Sequence, residues 1–358
     1  MLSAFPPHPI IELGGLQMRP TTIFIVGMML VGLLGLVAPS HLAYATDYTF
    51  TTLDVPGASF TYAFGINDAG QIVGSFGTAH GSHGFLDSGG TFTALDVPGA
   101  FETSPTGINN AGQIVGIFNA NIGAPAEGFL DTGGSFTTLD VPGALVTGAS
   151  GINGAGQIVG YFNSGARDRG FLYTDGTFTT LDVPSARDAY ATGVNDSGQI
   201  VGVFTDSTGE HGFLYTRGSF TTLDVPGSYL TEAFGISAKG QIVGLFADGT
   251  GFHGFLDTGG SFVTLDVPGA TVTGYTWAFG INDAGDIVGR YEDDMGTFHG
   301  FLATPSPSFA GTPGKANCFG QSVSALARQY SGLNAAAAAL GFSSISAVQN
   351  AILTFCGG

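Results

Sequence analysis

The chain has 358 residues and a net charge of −18 at neutral pH, with 10% charged and 44% hydrophobic side chains. That acidity speaks against nucleic acid, whose binding needs Lys and Arg at the phosphates, and against an anionic membrane surface. The hydrophobic content excludes a disordered chain, which would lack the 30 Phe side chains available here for burial, so the 60 Gly residues read as turn punctuation.

Residues 1–45 read as a secretory signal. Arg19 precedes an apolar run over 23–37, and Ala43-Tyr44-Ala45 is a small-residue cleavage site. Met18 is an alternative start, since residues 1–17 match no part of a signal. The run is shorter than the ~20 residues of a spanning helix, so cleavage after Ala45 is expected rather than an anchor. No later segment could span a bilayer. The expected location of the mature chain is secreted or periplasmic.

Residues 46–304 are repetitive. Leu-Asp-Val-Pro begins at Leu53, Leu95, Leu139, Leu181, Leu223 and Leu265, spaced 42 residues apart and once 44. Gly-Ile-Asn begins at Gly65, Gly107, Gly151 and Gly280, with variants at Gly193 and Gly235. Gln-Ile-Val-Gly follows from Gln71, Gln113, Gln157, Gln199 and Gln241, with Asp286 replacing Gln in the sixth copy. Gly-Phe-Leu recurs six times, from Gly84 to Gly300. A period in the forties points to propeller blades or helical repeats. Each unit holds four short runs rich in Phe, Ile, Val and Thr, separated by Gly-containing turns, and no ten-residue stretch keeps a helical period. Four strands in each of six units predict an all-β, six-bladed β-propeller. The weak alternation within runs is expected where both faces of a blade are covered.

The ends of the array give an independent check. Residues 48–55 form a fourth strand arriving alone, and the last unit, ending near Thr304, lacks one. Closing a ring with that early strand removes both exposed edges.

Gly-Ile-Asn with Gly-Gln-Ile-Val-Gly and a following His-Gly-Phe resembles the HAF-type extracellular repeats of bacterial secreted proteins, over roughly residues 48–304. Gly84 stands where the family name has Ala. The resemblance implies export and a repeat architecture but no activity. The pattern of the blades is also similar to that of NHL-type propellers.

Residues 305–316 read as a linker, and 317–358 as a small helical domain. Val323, Leu326, Tyr330, Leu333, Ala337 and Leu340 recur at helical spacing, and Ser344 can cap a last helix. Cys318 and Cys356 are the two cysteines, and in an exported chain a disulfide is expected. It would contribute about 4 kcal/mol on the chain-entropy model. This tail resembles short Cys-bounded helical segments that end various bacterial secreted proteins.

The repeated polar residues read as structural. One Asp per unit after Leu, from Asp54 to Asp266, is too few oxygens for Ca²⁺ and suits a turn before Pro. The Asn of Gly-Ile-Asn suits a capped turn. His83, His211, His253 and His299 share one slot in different blades, too far apart for one ion. Neither a metal nor a cofactor is expected. No nucleophile elbow, phosphate loop or zinc motif occurs.

Two segments vary between copies. One follows Pro-Gly (58–64, 100–106, 144–150, 185–192, 228–234, 270–279); the other precedes Gly-Phe (77–83, 119–127, 163–169, 205–211, 247–253, 292–299). In an up-and-down blade both lie at the same end. Their shared face carries Tyr62, Phe101, Tyr190, Tyr229, Tyr275 and the only tryptophan, Trp277, with Glu102, Asp188, Glu232, Asp293 and Asp294. Of these, Tyr62, Phe101, Tyr190, Tyr229, Glu232, Tyr275, Trp277, Asp293 and Asp294 form the candidate ligand site. Aromatics beside carboxylates suit a cell-envelope carbohydrate, or a cationic peptide on a basic protein surface. The expectation is a monomeric, non-enzymatic binding or scaffold module. One alternative is a glycosidase or lyase, needing two carboxylates about 5–10 Å apart. The other is a spacer without ligand, whose loops have drifted and whose loop face is no more apolar than the opposite one.

Overall fold

The computed structural model describes residues 43–44, 48–271, 275–306, 317–330, 332–340 and 342–357. The signal segment up to residue 42 and most of the linker lie outside the described residues.

The architecture is all-β and propeller-like, with a small helical tail. In the first repeat Thr61–Ile66, Gln71–Thr78, Gly81–Ser88 and Thr91–Ala94 form an antiparallel meander. The next two repeats do the same. Strands Asp188–Val194 to Ser219–Leu223 form one further meander and Leu230–Ile236 to Ser261–Leu265 another. A single parallel pair, Glu210 with Leu230, links these two into a nine-stranded sheet that also takes Ala43–Tyr44 at its edge. The last sheet holds Thr276–Ile281, Ile287–Glu292 and Phe298–Pro305. Its fourth strand is Tyr48–Leu53 from the start of the array, with Leu53 opposite Gly300.

Glycine explains how the innermost strands meet. The first strand of each repeat carries a bulge just before the Gly of Gly-Ile-Asn. A Cβ on Gly65 would sit 3.0 Å from the Gly107 Cα; on Gly107, 3.2 Å from Gly151; and so on through Gly193, Gly235 and Gly280, which returns to Gly65 at 3.3 Å. The strands therefore touch backbone to backbone around the axis. A larger residue at this position would hold them apart.

The core lies between neighbouring sheets. Phe85, Phe129, Phe171, Phe213, Phe255 and Phe301 of Gly-Phe-Leu are fully buried, and each stabilises by about 1.5–3 kcal/mol. Their rings lie where a Cβ of the Gly in Gln-Ile-Val-Gly would be; at Gly74 it would be 2.8 Å from Phe85. The first two strands of each repeat are largely buried on both faces, as expected, with the second half of Ile287–Glu292 only partly covered. The fourth strands are not: Ser135–Leu139 and its equivalents are exposed at three of five positions, because the outermost strand diverges from its neighbours.

In the tail, α1 (Cys318–Gln329), α2 (Leu333–Ala339) and α3 (Ile345–Cys356) enclose Leu326, Ala336, Ala337, Val348 and Ile352. Ser344 accepts the Ala347 N–H as the cap of α3, and a Cys318–Cys356 disulfide ties α1 to α3.

Candidate functional site

Strand register puts both variable segments at one end. Thr61 pairs with Phe76, Phe76 with His83, and the fourth strand leaves beside Gly84. The connections from second to third strand and from fourth to next first strand thus share a face. Phe101, Ile122, Leu145, Tyr229 and Met295 are the exposed large hydrophobics of the described β-region, and all five stand in those segments.

Below this face the first two strands line a central channel in layers. The deeper layer is Phe64, Thr106, Ser150, Thr192, Phe234 and Phe279. Phe234, Phe279 and Phe64 pack on one another at 5.0–5.1 Å on three consecutive repeats. The polar side carries Thr192, whose hydroxyl donates to the Ala233 carbonyl, and a cavity of about 40 Å³ remains between the two halves. The upper layer is Tyr62, Ser104, Gly148, Tyr190, Glu232 and Trp277, paired across to Ser75, Ile117, Tyr161, Val203, Leu245 and Arg290.

This layer gathers part of the predicted site. The Arg290 guanidinium lies 4.0 Å from the Trp277 ring centroid and 4.6 Å from that of Tyr62. Burial holds its pKa below the ordinary arginine value, against the opposing pull of Tyr62, Glu232 and Glu292. Tyr62 is itself buried, stacked on Phe60 at 4.6 Å. Glu232 is buried, and its carboxyl is hydrogen-bonded to that of Glu210. Burial first, then that neighbouring acid, pushes Glu232 well above the carboxylate range. Tyr275, two residues before Trp277, stacks on Phe252 at 5.3 Å.

The other candidates stand apart. Tyr190 is buried, and its hydroxyl donates to Asp168, which also accepts from Asn163; burial raises the tyrosine pKa further. Phe101 and Tyr229 are exposed on opposite halves of the face. Asp293 braces its own loop, accepting the Met295 and Thr297 N–H groups and lying 3.2 Å from His299 Nε2. Those bonds hold its pKa low. Asp294 is exposed beside it. Arg290 was not a sequence candidate. The signal available was its slot, since the five siblings are Ser, Ile, Tyr, Val and Leu.

The repeated Asp plays a part other than the expected turn. His83, His211, His253 and His299 each place Nδ1 within 2.9–3.0 Å of the Asp that follows the repeat leucine: Asp96, Asp224, Asp266 and Asp54. Arg167 takes the His role toward Asp182. The turn N–H is instead met by a threonine, as when Thr61 accepts from Val55. Two of these histidines have raised pKa values, His253 chiefly through Asp266, and His299 through Asp54 and Asp293 against the effect of burial.

The opposite face is built from the constant Asn turns. Asn67 Oδ1 accepts the Ala69 and Gln71 N–H groups, as expected for a capped turn. Its Nδ2 does more, donating to the Asn109 carbonyl of the next repeat. Asn109, Asn153, Asn195 and Asn282 repeat the bond, the last reaching back to Asn67. Ser237 breaks the belt. Inside it lies a polar recess of about 100 Å³ rimmed by Asp68, Asp196 and Asp283. Among the described residues no group of three or more His, Cys, Asp or Glu is arranged to hold a metal.

No family model matches the sequence, nor does any curated protein. The extracellular-repeat resemblance therefore rests on its motifs alone. Among solved structures, a virginiamycin B lyase from Staphylococcus aureus with quinupristin is 14% identical at a TM-score of 0.44, over 72% of this chain and 99% of that one. TolB from Acinetobacter baumannii is 13% identical at 0.46, over 69% and 64%. A gluconolactonase from Xanthomonas campestris is 12% identical at 0.46, over 74% and 92%.

Proposed function

We propose that this chain is an exported six-bladed propeller of the HAF-repeat kind, acting as a binding module whose ligand sits on the face of the variable loops. The blade count reads the nine-stranded sheet as two blades joined by one residue pair, and the cycle of six touching glycines supports it. The disulfide suits a secreted or periplasmic location. The observation that carries the binding role is the placement of exposed apolar side chains. A spacer has no reason to confine Phe101, Ile122, Leu145, Tyr229 and Met295 to one face. The glycosidase or lyase alternative needs two available carboxylates there. Asp293 is engaged by its loop and His299, and Glu232 by Glu210, so binding is the better supported reading.

The test is thermal unfolding of residues 46–358 with neutral and acidic oligosaccharides, peptidoglycan fragments and basic peptides. A ligand at a hundred times its Kd adds about 2.7 kcal/mol. One class should raise Tm, and the Phe101→Ala/Tyr229→Ala double variant should lose that shift while keeping its own Tm. No shift with any class would favour the spacer.

A further inference from the structure

The residue after Gln-Ile-Val-Gly occupies one slot in all six repeats: Ser75, Ile117, Tyr161, Val203, Leu245 and Arg290. The register points every copy at the channel mouth, opposite an upper-layer residue of the first strand; Arg290 stands across from Trp277 as Leu245 does from Glu232. Five copies are uncharged. The repeat geometry thus aims a single cation into the mouth of the channel.

That cation is incompletely satisfied. Its guanidinium is hydrogen-bonded to Tyr62 and bracketed by Trp277, Tyr62 and Phe298, the last at 5.2 Å. Its Nε is shielded from water and has no hydrogen-bond partner. Among the described residues no carboxylate comes within ion-pair distance of it. The acids whose fields reach it are Glu232 and Glu292. Glu232 is committed to Glu210, and burial together with that neighbouring acid pushes its pKa up, which weakens the charge it offers. Ring faces attract a cation but do not neutralise it. A desolvated guanidinium gains most from an anion that it can grip with two parallel N–H bonds.

We infer that Arg290 anchors a ligand site at the channel mouth, and that the group it takes is the carboxylate of an acidic sugar ring. This rests on the loop-face reading and names its ligand class. Arg290 holds the carboxylate. The Glu232–Glu210 pair supplies carboxyl groups to hydrogen-bond ring hydroxyls. Exposed Tyr229 and partly exposed Tyr275, on the loops of the same side, cover the apolar face of the ring. The faces of Tyr62 and Trp277 are occupied by Arg290, so these two position the guanidinium rather than stack on the ligand. A cationic peptide is disfavoured, because it would meet a cation at the deepest point of the site.

The experiment is calorimetric titration of residues 46–358 with trigalacturonate and with its methyl ester, which keeps the rings and removes the charge. The acid should bind at least 10-fold more tightly than the ester. Arg290→Gln should weaken acid binding by about 10- to 100-fold, to the level of the ester, and leave the ester unchanged. If Arg290→Gln does not fold, the acid-to-ester ratio of the wild-type chain decides alone. Equal affinity for both, acid binding untouched by Arg290→Gln, or no acid binding would each overturn the inference. Ester binding that Tyr229→Ala abolishes would then still uphold the loop-face reading, so the two can fail separately.

Discussion

The two faces of the ring are built by opposite rules. On one, five of six nearly identical turns lock neighbouring repeats together through the side chain of an asparagine and the backbone of the next turn. On the other, twelve connections of differing length carry the exposed apolar groups, and the acid pair and Arg290 lie beneath them. The difference teaches that repeat identity here marks inter-blade adhesion. Departure from the repeat marks what is left free to meet something else.

The comparison can be broken most severely where both faces depend on close approach. Gly289→Ala would drive a Cβ to 1.9 Å from the Trp277 carbonyl and 2.5 Å from Phe301. We expect a loss of about 3 kcal/mol or more, or no folded protein, in urea unfolding. Asn153→Ala on the constant face removes two turn bonds and the link to Asn195. A loss of about 2–3 kcal/mol is expected, with ligand binding at the far face unchanged.

Acidity should separate the faces next. His253 and His299 are raised in the folded state, so the stability they add is complete below the unfolded pKa near 6.5 and disappears as pH rises through the folded values. Urea midpoints should fall from pH 6 to pH 9. The His253→Gln/His299→Gln variant should show a flatter profile, and an unchanged slope would disprove the assignment. Ser237→Asn should complete the belt by donating to the Asn282 carbonyl, a gain of about 1 kcal/mol measured as a higher Tm. Least of all, Tyr229→Ala should change stability by under about 0.5 kcal/mol, because the ring is 65% exposed.

The repeat units, the strands within them and the closing strand at residues 48–55 could be read from the sequence, because six copies of one pattern average away local ambiguity. The loop face followed from strand parity alone. Three features could not be read this way. The His–Asp pairs join residues 13 apart whose meeting depends on blade register. The asparagine belt joins residues 42 apart in different repeats, so the turn seen locally was only half of that side chain's work. Arg290 did not stand out, because hydropathy does not reveal that its slot faces the axis. Conversely Tyr62 and Trp277 were found as aromatics, but their burial against that arginine needed three dimensions.

The borrowed strand also sets a timetable. His299 meets Asp54 across 245 positions of chain, and no nearer partner exists for Tyr48–Leu53 in its sheet. Such a pairing forms slowly, after the intervening loop has been gathered. A chain made from its N-terminus therefore presents this strand before the rest of its sheet and can use it only last. Until then the half-built ring has two open edges. Anything that occupies residues 48–53 in that interval, whether a chaperone, a fused tag or a second unfinished copy, decides if the ring closes on itself or on a neighbour.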